Sequence, residues 1–183
     1  AISRNIIALT DLGENTKVSN SQWSLTGMGV PSNAANTEYA AMVGTYAAAR
    51  DIDQTSTVLA GIPNFEGGVD YEKLSCARLL SSSEYTVNKS LGYISLKTGL
   101  QTDQVLAVAY EFTAGGQTYQ VGEFASDNTE TSKALFVKSL KNTSNNPKQG
   151  NWDLMMKNVY YLASSVEKTK FRLDIKFQSD TIA

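Results

Sequence analysis

The clearest structural signal in the chain is the stretch from residue 105 to residue 124, which reads VLAVAYEFTAGGQTYQVGEF. Its first eight residues alternate as in a strand, and Val105, Ala107, Ala109 and Glu111 face away from Leu106, Val108, Tyr110 and Phe112. Gly115 and Gly116 follow, and consecutive glycines supply the positive φ angles that a tight turn requires. Because residues 118–124 then read as a returning strand, the stretch predicts a β-hairpin.

The same patterns predict further elements on both sides of this hairpin. Additional strands are predicted at residues 5–9, 91–96, 135–141 and 171–178. Helices are predicted at residues 38–50, 70–80 and 152–163, the first with Asn36 or Thr37 as its cap. The fold class predicted is α+β, a mostly antiparallel sheet with about three helices packed on it, in one domain over residues 1–183.

Composition excludes several classes of function. The chain has 183 residues, of which 42% are hydrophobic, and this suits one globular domain. Sixteen basic and eighteen acidic residues give a net charge of −2, which argues against a nucleic-acid partner. The absence of His excludes His-based catalytic triads and His-ligated zinc, and the single Cys76 excludes an internal disulfide. No apolar run approaches the ~20 residues of a membrane helix. Because the chain has no initiator Met and no signal-peptide pattern, we expect a mature or excised piece.

Several short motifs resemble catalytic signatures, but their order or their position in the sequence argues against catalysis. K-T-G at residues 97–99, S-D-N at 126–128 and S-x-x-K at 165–168 match the serine β-lactamase elements, but their order along the chain is reversed. D-x-D-x-T at residues 51–55 follows a helix end, whereas a phosphotransferase signature follows a buried strand. Cys76 is interpreted as a small buried residue within a helix. We therefore predict no enzyme activity, no catalytic residue, no cofactor and no metal.

Two carboxylates on the predicted hairpin raise a further possibility. Glu111 and Glu123 sit on neighbouring predicted strands and could face each other as an acid pair, whereas cross-strand pairing with Lys or Thr is the simpler interpretation.

Eight blocks of sequence together resemble one family, the giant outer-membrane SprA (Sov-type) proteins. These proteins are translocons of the type IX secretion system and are also tied to gliding motility. The blocks stand in family order at residues 5–14, 71–72 with 77–80, 83–88, 91–96, 103–111, 119–124, 152–160 and 171–175. The segment from residue 18 to residue 68 departs most from the family.

This resemblance implies that the chain is a soluble insertion between the strands of a much larger β-barrel pore. Its implied location is the cell envelope, associated with the outer membrane and facing the extracellular side rather than the periplasm. The implied partners are the rest of the barrel, its accessory subunits and secreted cargo in transit, with no nucleic acid and no membrane insertion of the domain itself.

Candidate interaction residues lie in two predicted loops, because recognition concentrates in loops on a rigid scaffold. They are Asn64, Phe65, Glu66, Gly67 and Gly68 in the loop from Gln54 to Val69, and Gly115, Gly116 and Gln117 at the hairpin. Two other functions stay open. One is a carbohydrate- or surface-ligand-binding module, and the other is a hydrolase that uses Ser or carboxylates.

Overall fold

A computed structural model describes residues 3–144, 146–156, 165, 167, 169–174 and 176. The strands are β1 Ser3–Leu9, β2 Tyr71–Arg78, β3 Tyr85–Asn88, β4 Tyr93–Leu96, β5 Leu106–Val108, β6 Tyr110–Ala114, β7 Gln117–Val121 and β8 Leu135–Lys141. The helices are α1 Glu38–Val43 and α2 Thr55–Leu59, with 3₁₀ helices at Ala47–Arg50 and Gly150–Leu154. The predicted α+β class fits coarsely, since sheet dominates and helices are few.

The main sheet has four strands in the order β2-β1-β8-β5. Its two inner strands, β1 and β8, run parallel, whereas β2 and β5 pair antiparallel with them. The remaining strands form two separate antiparallel pairs, β3–β4 and β6–β7. The prediction of a mostly antiparallel sheet is therefore right for every strand pair except the one at the centre.

Both faces of the inner strands are covered, which explains the apolar runs at residues 6–9 of β1 and 135–137 of β8. On one face Ile7, Leu9 and Phe136 pack with residues that include Met42 of α1 and Leu59 of α2. On the other face Ala8, Leu135 and Val137 pack with partly buried residues that include Val105 and Ala107.

The strand predictions at residues 5–9, 91–96 and 135–141 are confirmed by β1, β4 and β8, and the hairpin is confirmed by β6 and β7. Residues 105–112 do not form one strand. They divide at Ala109 into β5, which pairs with β8, and β6, which leaves the main sheet to pair with β7. The returning strand ends at Val121 because Gly122 adopts a φ of +75°.

The helix predicted at residues 70–80 is wrong, because this segment is strand β2. The spacing of Tyr71, Leu74 and Arg78 suits a helix. However, β1 supplies the hydrogen-bond partners for the backbone of this segment, and no local pattern in the sequence reveals that pairing. The loop predicted from Gln54 to Val69 is wrong in part, since α2 occupies Thr55–Leu59.

The helix predicted at residues 38–50 is shorter than expected, because α1 ends before Gly44 and a 3₁₀ turn follows at Ala47–Arg50. Of its two predicted caps, Asn36 supplies the side-chain bond, since its Oδ1 accepts from the Glu38 N–H at 3.0 Å. Thr37 makes no capping bond.

Neither of the two elements predicted nearest the C-terminus is found as predicted in the described residues. The helix predicted at residues 152–163 is reduced to the 3₁₀ turn Gly150–Leu154, after which Met155 is extended, and residues 157–163 lie outside the described residues. The strand predicted at residues 171–178 is not formed at residues 171–174 and 176, while residues 175, 177 and 178 lie outside the described residues. None of the helices within the described ranges is long and apolar enough to cross a membrane.

Candidate functional site

The first predicted interaction segment, Asn64–Gly68, is anchored in the core by its aromatic residue. Phe65 is 6% exposed, meets Trp23 edge-on with ring centroids 5.6 Å apart, and stacks on Tyr71 at 5.3 Å. Phe65 therefore holds the segment in place and offers no free surface to a partner. Asn64 has a φ of +55° and Gly68 a φ of +83°, as the tight path into β2 requires.

A network of hydrogen bonds between polar groups holds the rest of this segment in place. Asn20 Nδ2 donates to the Asn64 carbonyl at 2.6 Å and to Asp70 Oδ1 at 3.2 Å. Asp70 Oδ2 accepts from the Glu66 N–H at 2.8 Å, and the Asp70 carbonyl accepts from the Thr10 N–H at 2.8 Å. Burial raises the pKa of Asp70, although the hydrogen bonds from Glu66 and Asn20 act in the opposite direction.

Beside this network lies a cavity of about 380 Å³. Four segments that are distant in sequence contribute to its wall: Thr10, residues 19–21, residues 64–70 and residues 146–150. Of the predicted interaction residues, Asn64 and Glu66 line it. Sequence reasoning missed the cavity, because short polar loops rich in Asn and Ser carry no signal of which other loops they meet.

The second predicted segment, Gly115–Gln117, forms the tip of the β6–β7 hairpin, where Gly115 and Gly116 have φ angles of +59° and +79°. Below the tip the hairpin carries a row of aromatic rings. Phe112 lies opposite Tyr119 with centroids 5.5 Å apart, and Tyr110 follows 6.2 Å from Phe112. Tyr110 is 37% exposed.

The hairpin is tied to the body at its base through Asn33. The Asn33 N–H donates to the Gln120 carbonyl at 2.7 Å, and its side chain exchanges hydrogen bonds with both the N–H and the carbonyl of Gly122. At the other end, the Tyr119 hydroxyl donates to Gln117 Oε1 at 2.8 Å. The tip and the aromatic row therefore belong to one element.

The two carboxylates considered as an acid pair are not cross-strand partners in the hairpin. Glu123 is 4% exposed and lies beyond the end of β7, where the Arg50 guanidinium and the Tyr39 hydroxyl bind it. Glu111 lies on β6, in register with Gln120. Glu123 thus has a structural role that the sequence did not reveal.

Asp51 of the D-x-D-x-T motif and Asp127 of the S-D-N motif accept local hydrogen bonds. Asp51 precedes α2, and its carboxylate accepts from the Asp53 N–H and from Gln54 Nε2. Asp127 closes a turn by accepting from the Phe124 N–H and from Gln120 Nε2. Within the part of the chain that the structure describes, no group of three or more Cys, Asp or Glu side chains could hold a metal ion.

The interpretation of Cys76 as a buried helical residue is wrong. Cys76 is exposed on β2 and has a φ of +55°. The error has the same origin as the helix predicted for this segment, since the segment is strand β2, and both Ser75 and Cys76 are exposed in it.

Comparison with known proteins adds no relative. No protein-family model matches the chain, and no curated protein matches it.

Proposed function

We propose that this chain is a non-catalytic structural and interaction domain of a type IX secretion outer-membrane translocon, where it contributes to protein export and gliding motility. The sequence resemblance is the origin of this proposal. The observation that carries it in the structure is where the resembling blocks fall. Blocks 5–14, 71–72 with 77–80, 83–88, 91–96, 103–111 and 119–124 overlap seven of the eight strands in the described residues, all except β8.

The distribution of these blocks fits a shared framework. The segment that departs most from the family, residues 18–68, contains α1 and α2, which pack on one face of the main sheet. Loops vary more in sequence than the elements that they connect, and residues 18–68 lie mostly in loops. Resembling blocks on seven strands and a departing segment beside them fit an insertion domain of one family.

The β6–β7 hairpin is the element best suited to contact a partner. A few aromatic residues near the centre of an interface supply most of its binding energy, and Tyr110, Phe112 and Tyr119 form such a group. Among the described residues the hairpin is a two-stranded sheet. The outer edge of β6 is therefore available to a strand from another chain, whereas Asn33 already binds β7 at Gln120. The proposed partners are the barrel, its accessory subunits and cargo in transit, on the extracellular side of the outer membrane.

The test is a deletion of the hairpin tip, residues 114–117, in the full-length translocon. We expect reduced secretion of a reporter cargo, while the 183-residue domain with the same deletion keeps its circular dichroism melt. Deletion of the β3–β4 turn, residues 89–92, is the matched control and should leave secretion unchanged. The 64–68 segment is unsuitable for this test because Phe65 belongs to the core.

Two results would contradict the proposal at different levels. Normal secretion with an unchanged melt after deletion of residues 114–117 would remove the hairpin from the function. Normal secretion and normal gliding after deletion of the whole domain would remove the transport role itself.

A further inference from the structure

Four carboxylate side chains are buried in the described part of the chain, and three of them accept hydrogen bonds. Asp11 accepts from two backbone N–H groups, Asp70 from an N–H and an amide, and Glu123 from an arginine and a tyrosine. Glu38 is the exception. It is fully buried, and neither of its carboxylate oxygens has a partner among the described residues. An ionised carboxylate in such a place is very unfavourable.

The charged groups near Glu38 come from three other parts of the fold and do not neutralise it. Asp11 and Glu14 lie in the loop after β1, Asp70 directly precedes β2, and Lys138 lies on β8. Lys138 is the one cation among these four groups, and its Nζ already donates to a backbone carbonyl and to Glu14 Oε1. Burial and three neighbouring carboxylates therefore oppose a charge on Glu38.

Helix α1 is the element that can bring Glu38 to solvent without breaking the main sheet. It has six residues, and Thr37 gives it no side-chain cap, so it depends on tertiary contacts. Those contacts are made by side chains. Met42, four residues after Glu38 on the same face, packs in the core, and the Tyr39 hydroxyl binds Glu123. Asn36 Nδ2 donates to two carbonyl groups of the loop after β1, at 2.8 and 2.9 Å.

The acidic neighbours of Glu38 are less able to move. Thr10 and Asp70 join the ends of β1 and β2 through a backbone hydrogen bond, and Lys138 pairs with Leu9 in the ladder between β1 and β8. Displacing any of these groups would disturb the centre of the sheet, whereas α1 contributes no strand to it.

We propose that α1 is a pH-sensitive switch, which stays packed on the main sheet while Glu38 is protonated and leaves it when Glu38 ionises. The main sheet stays folded in both states. This inference does not use the translocon role, so failure of either proposal leaves the other standing.

The direction of the switch follows from the two environments of Glu38. In the open state the carboxyl is solvated and has its ordinary pKa of 4.5, whereas burial raises the pKa in the closed state. Between these two pKa values the ratio of open to closed chains should rise about tenfold for each pH unit, because opening releases one proton. Above the raised pKa the ratio becomes constant. Low pH therefore keeps α1 closed.

The experiment is NMR of the 183-residue chain with ¹³C-labelled methionine methyl groups, recorded from pH 5 to pH 9. Met42 is fully buried, so its methyl signal should move towards the position of a solvated methionine as pH rises. In Glu38→Gln, which cannot ionise, the signal should keep its folded position. Glu111→Gln, at an exposed carboxylate on β6, is the matched control and should switch like the parent chain.

Far-UV circular dichroism at each pH tests whether the opening is local, since the sheet signal should persist. If Glu38→Gln unfolds the chain, Glu38→Met replaces it, because it removes both unpartnered oxygens and keeps the length of the side chain. The proposal is overturned if the Met42 signal of the parent chain does not move, if it moves equally in a folded Glu38 variant, or if the sheet signal disappears with it. Unfolding of both Glu38 variants would show that Glu38 is paired in the core, which also overturns the proposal.

Discussion

Glu38 has the least favourable surroundings of any charged side chain in the described part of the molecule. It is the first residue of α1 and is fully buried, and neither carboxylate oxygen has a hydrogen-bond partner there. Burial raises the pKa of Glu38 well above its usual value, and the nearby Asp11 carboxylate raises it further, whereas Lys138 lowers it. Because this carboxyl binds its proton more tightly in the folded chain than in the unfolded chain, ionisation opposes folding.

Replacing Glu38 by Gln should therefore flatten the pH dependence of stability. In the parent chain, stability present below pH ~4.5 should be lost as pH rises through the raised pKa of Glu38, at about 1.4 kcal/mol for each unit of difference. Glu38→Gln keeps the shape and cannot ionise. Urea unfolding from pH 4 to pH 8 measures the effect. Identical slopes of unfolding free energy against pH for the two proteins would show that Glu38 is solvated or paired.

Glu123 is the opposite case, a buried carboxylate whose oxygens are fully engaged. Arg50 donates to it through both Nη atoms at 2.8 and 2.5 Å, while the Tyr39 hydroxyl and the Phe136 N–H complete the set. The Arg50 guanidinium also lies 4.3 Å from the centre of the Phe136 ring. Burial first, and the Glu123 charge second, raise the pKa of Tyr39 to about 12.

Loss of Arg50 should be costly because it leaves Glu123 buried and without its main partner. Arg50→Met should lower the free energy of unfolding by about 3–5 kcal/mol, the usual cost of removing one member of a buried pair. Arg78→Met is the matched control. It breaks the Arg78–Glu84 pair, which is solvent-exposed, and should change little. Chemical denaturation measures both, and equal effects would contradict the special position of Arg50.

At the scale of elements, β2 contains a bulge in which one residue has a backbone conformation that is unfavourable for its side chain. Arg4 pairs with Ala77 and Ile6 pairs with Leu74, so Asn5 faces two residues and β2 bulges. Within this bulge Cys76 has a φ of +55°, and its N–H donates to Asn5 Oδ1 at 3.0 Å. Left-handed backbone is unfavourable for any residue with a Cβ atom, whereas glycine adopts it freely.

Cys76→Gly should accordingly stabilise the protein by about 0.5–1 kcal/mol, since the side chain is exposed and its loss removes no core contact. Ser75→Gly is the control one residue earlier, where φ is not positive, and should destabilise by a similar amount. Thermal unfolding under reducing conditions gives both changes. A loss of stability in Cys76→Gly would mean that the left-handed bulge is absent in solution.

At the scale of the whole molecule, stability should be distributed unevenly. The parallel pair β1–β8 is buried on both faces, whereas β3–β4 and β6–β7 are isolated two-stranded sheets, which are marginally stable by themselves. The molecule thus combines a rigid centre with loosely supported hairpins.

Amide hydrogen exchange should reveal this hierarchy. Amides of Ile7–Leu9 and Phe136–Lys138 should exchange slowest, because they open only when the whole domain unfolds. Amides of β3–β4 and β6–β7 should exchange fastest among the paired strands. Equal protection in Phe112 of the hairpin and in Ile7 would show that the hairpin belongs to the same cooperative unit as the main sheet.

The sequence by itself determined the elements whose signals are local. Apolar runs predicted β1 and β8, and the Gly115-Gly116 pair predicted the hairpin, since alternation and turn geometry depend on neighbours in the chain. Asn64 and Glu66 are two of the candidate interaction residues, and they line a cavity that the sequence did not predict.

What only the tertiary structure decided involves partners far away in sequence. Strand β2 is a strand because the edge of β1 accepts it, and β1 runs parallel to β8 across more than a hundred intervening residues. Partners distant in sequence also explain why Glu123 is buried against Arg50 and why Gly150 lies against Ser19 in the cavity wall. Backbone and side-chain hydrogen bonds must all be satisfied once buried, and which distant group satisfies each one is fixed only when the whole chain packs.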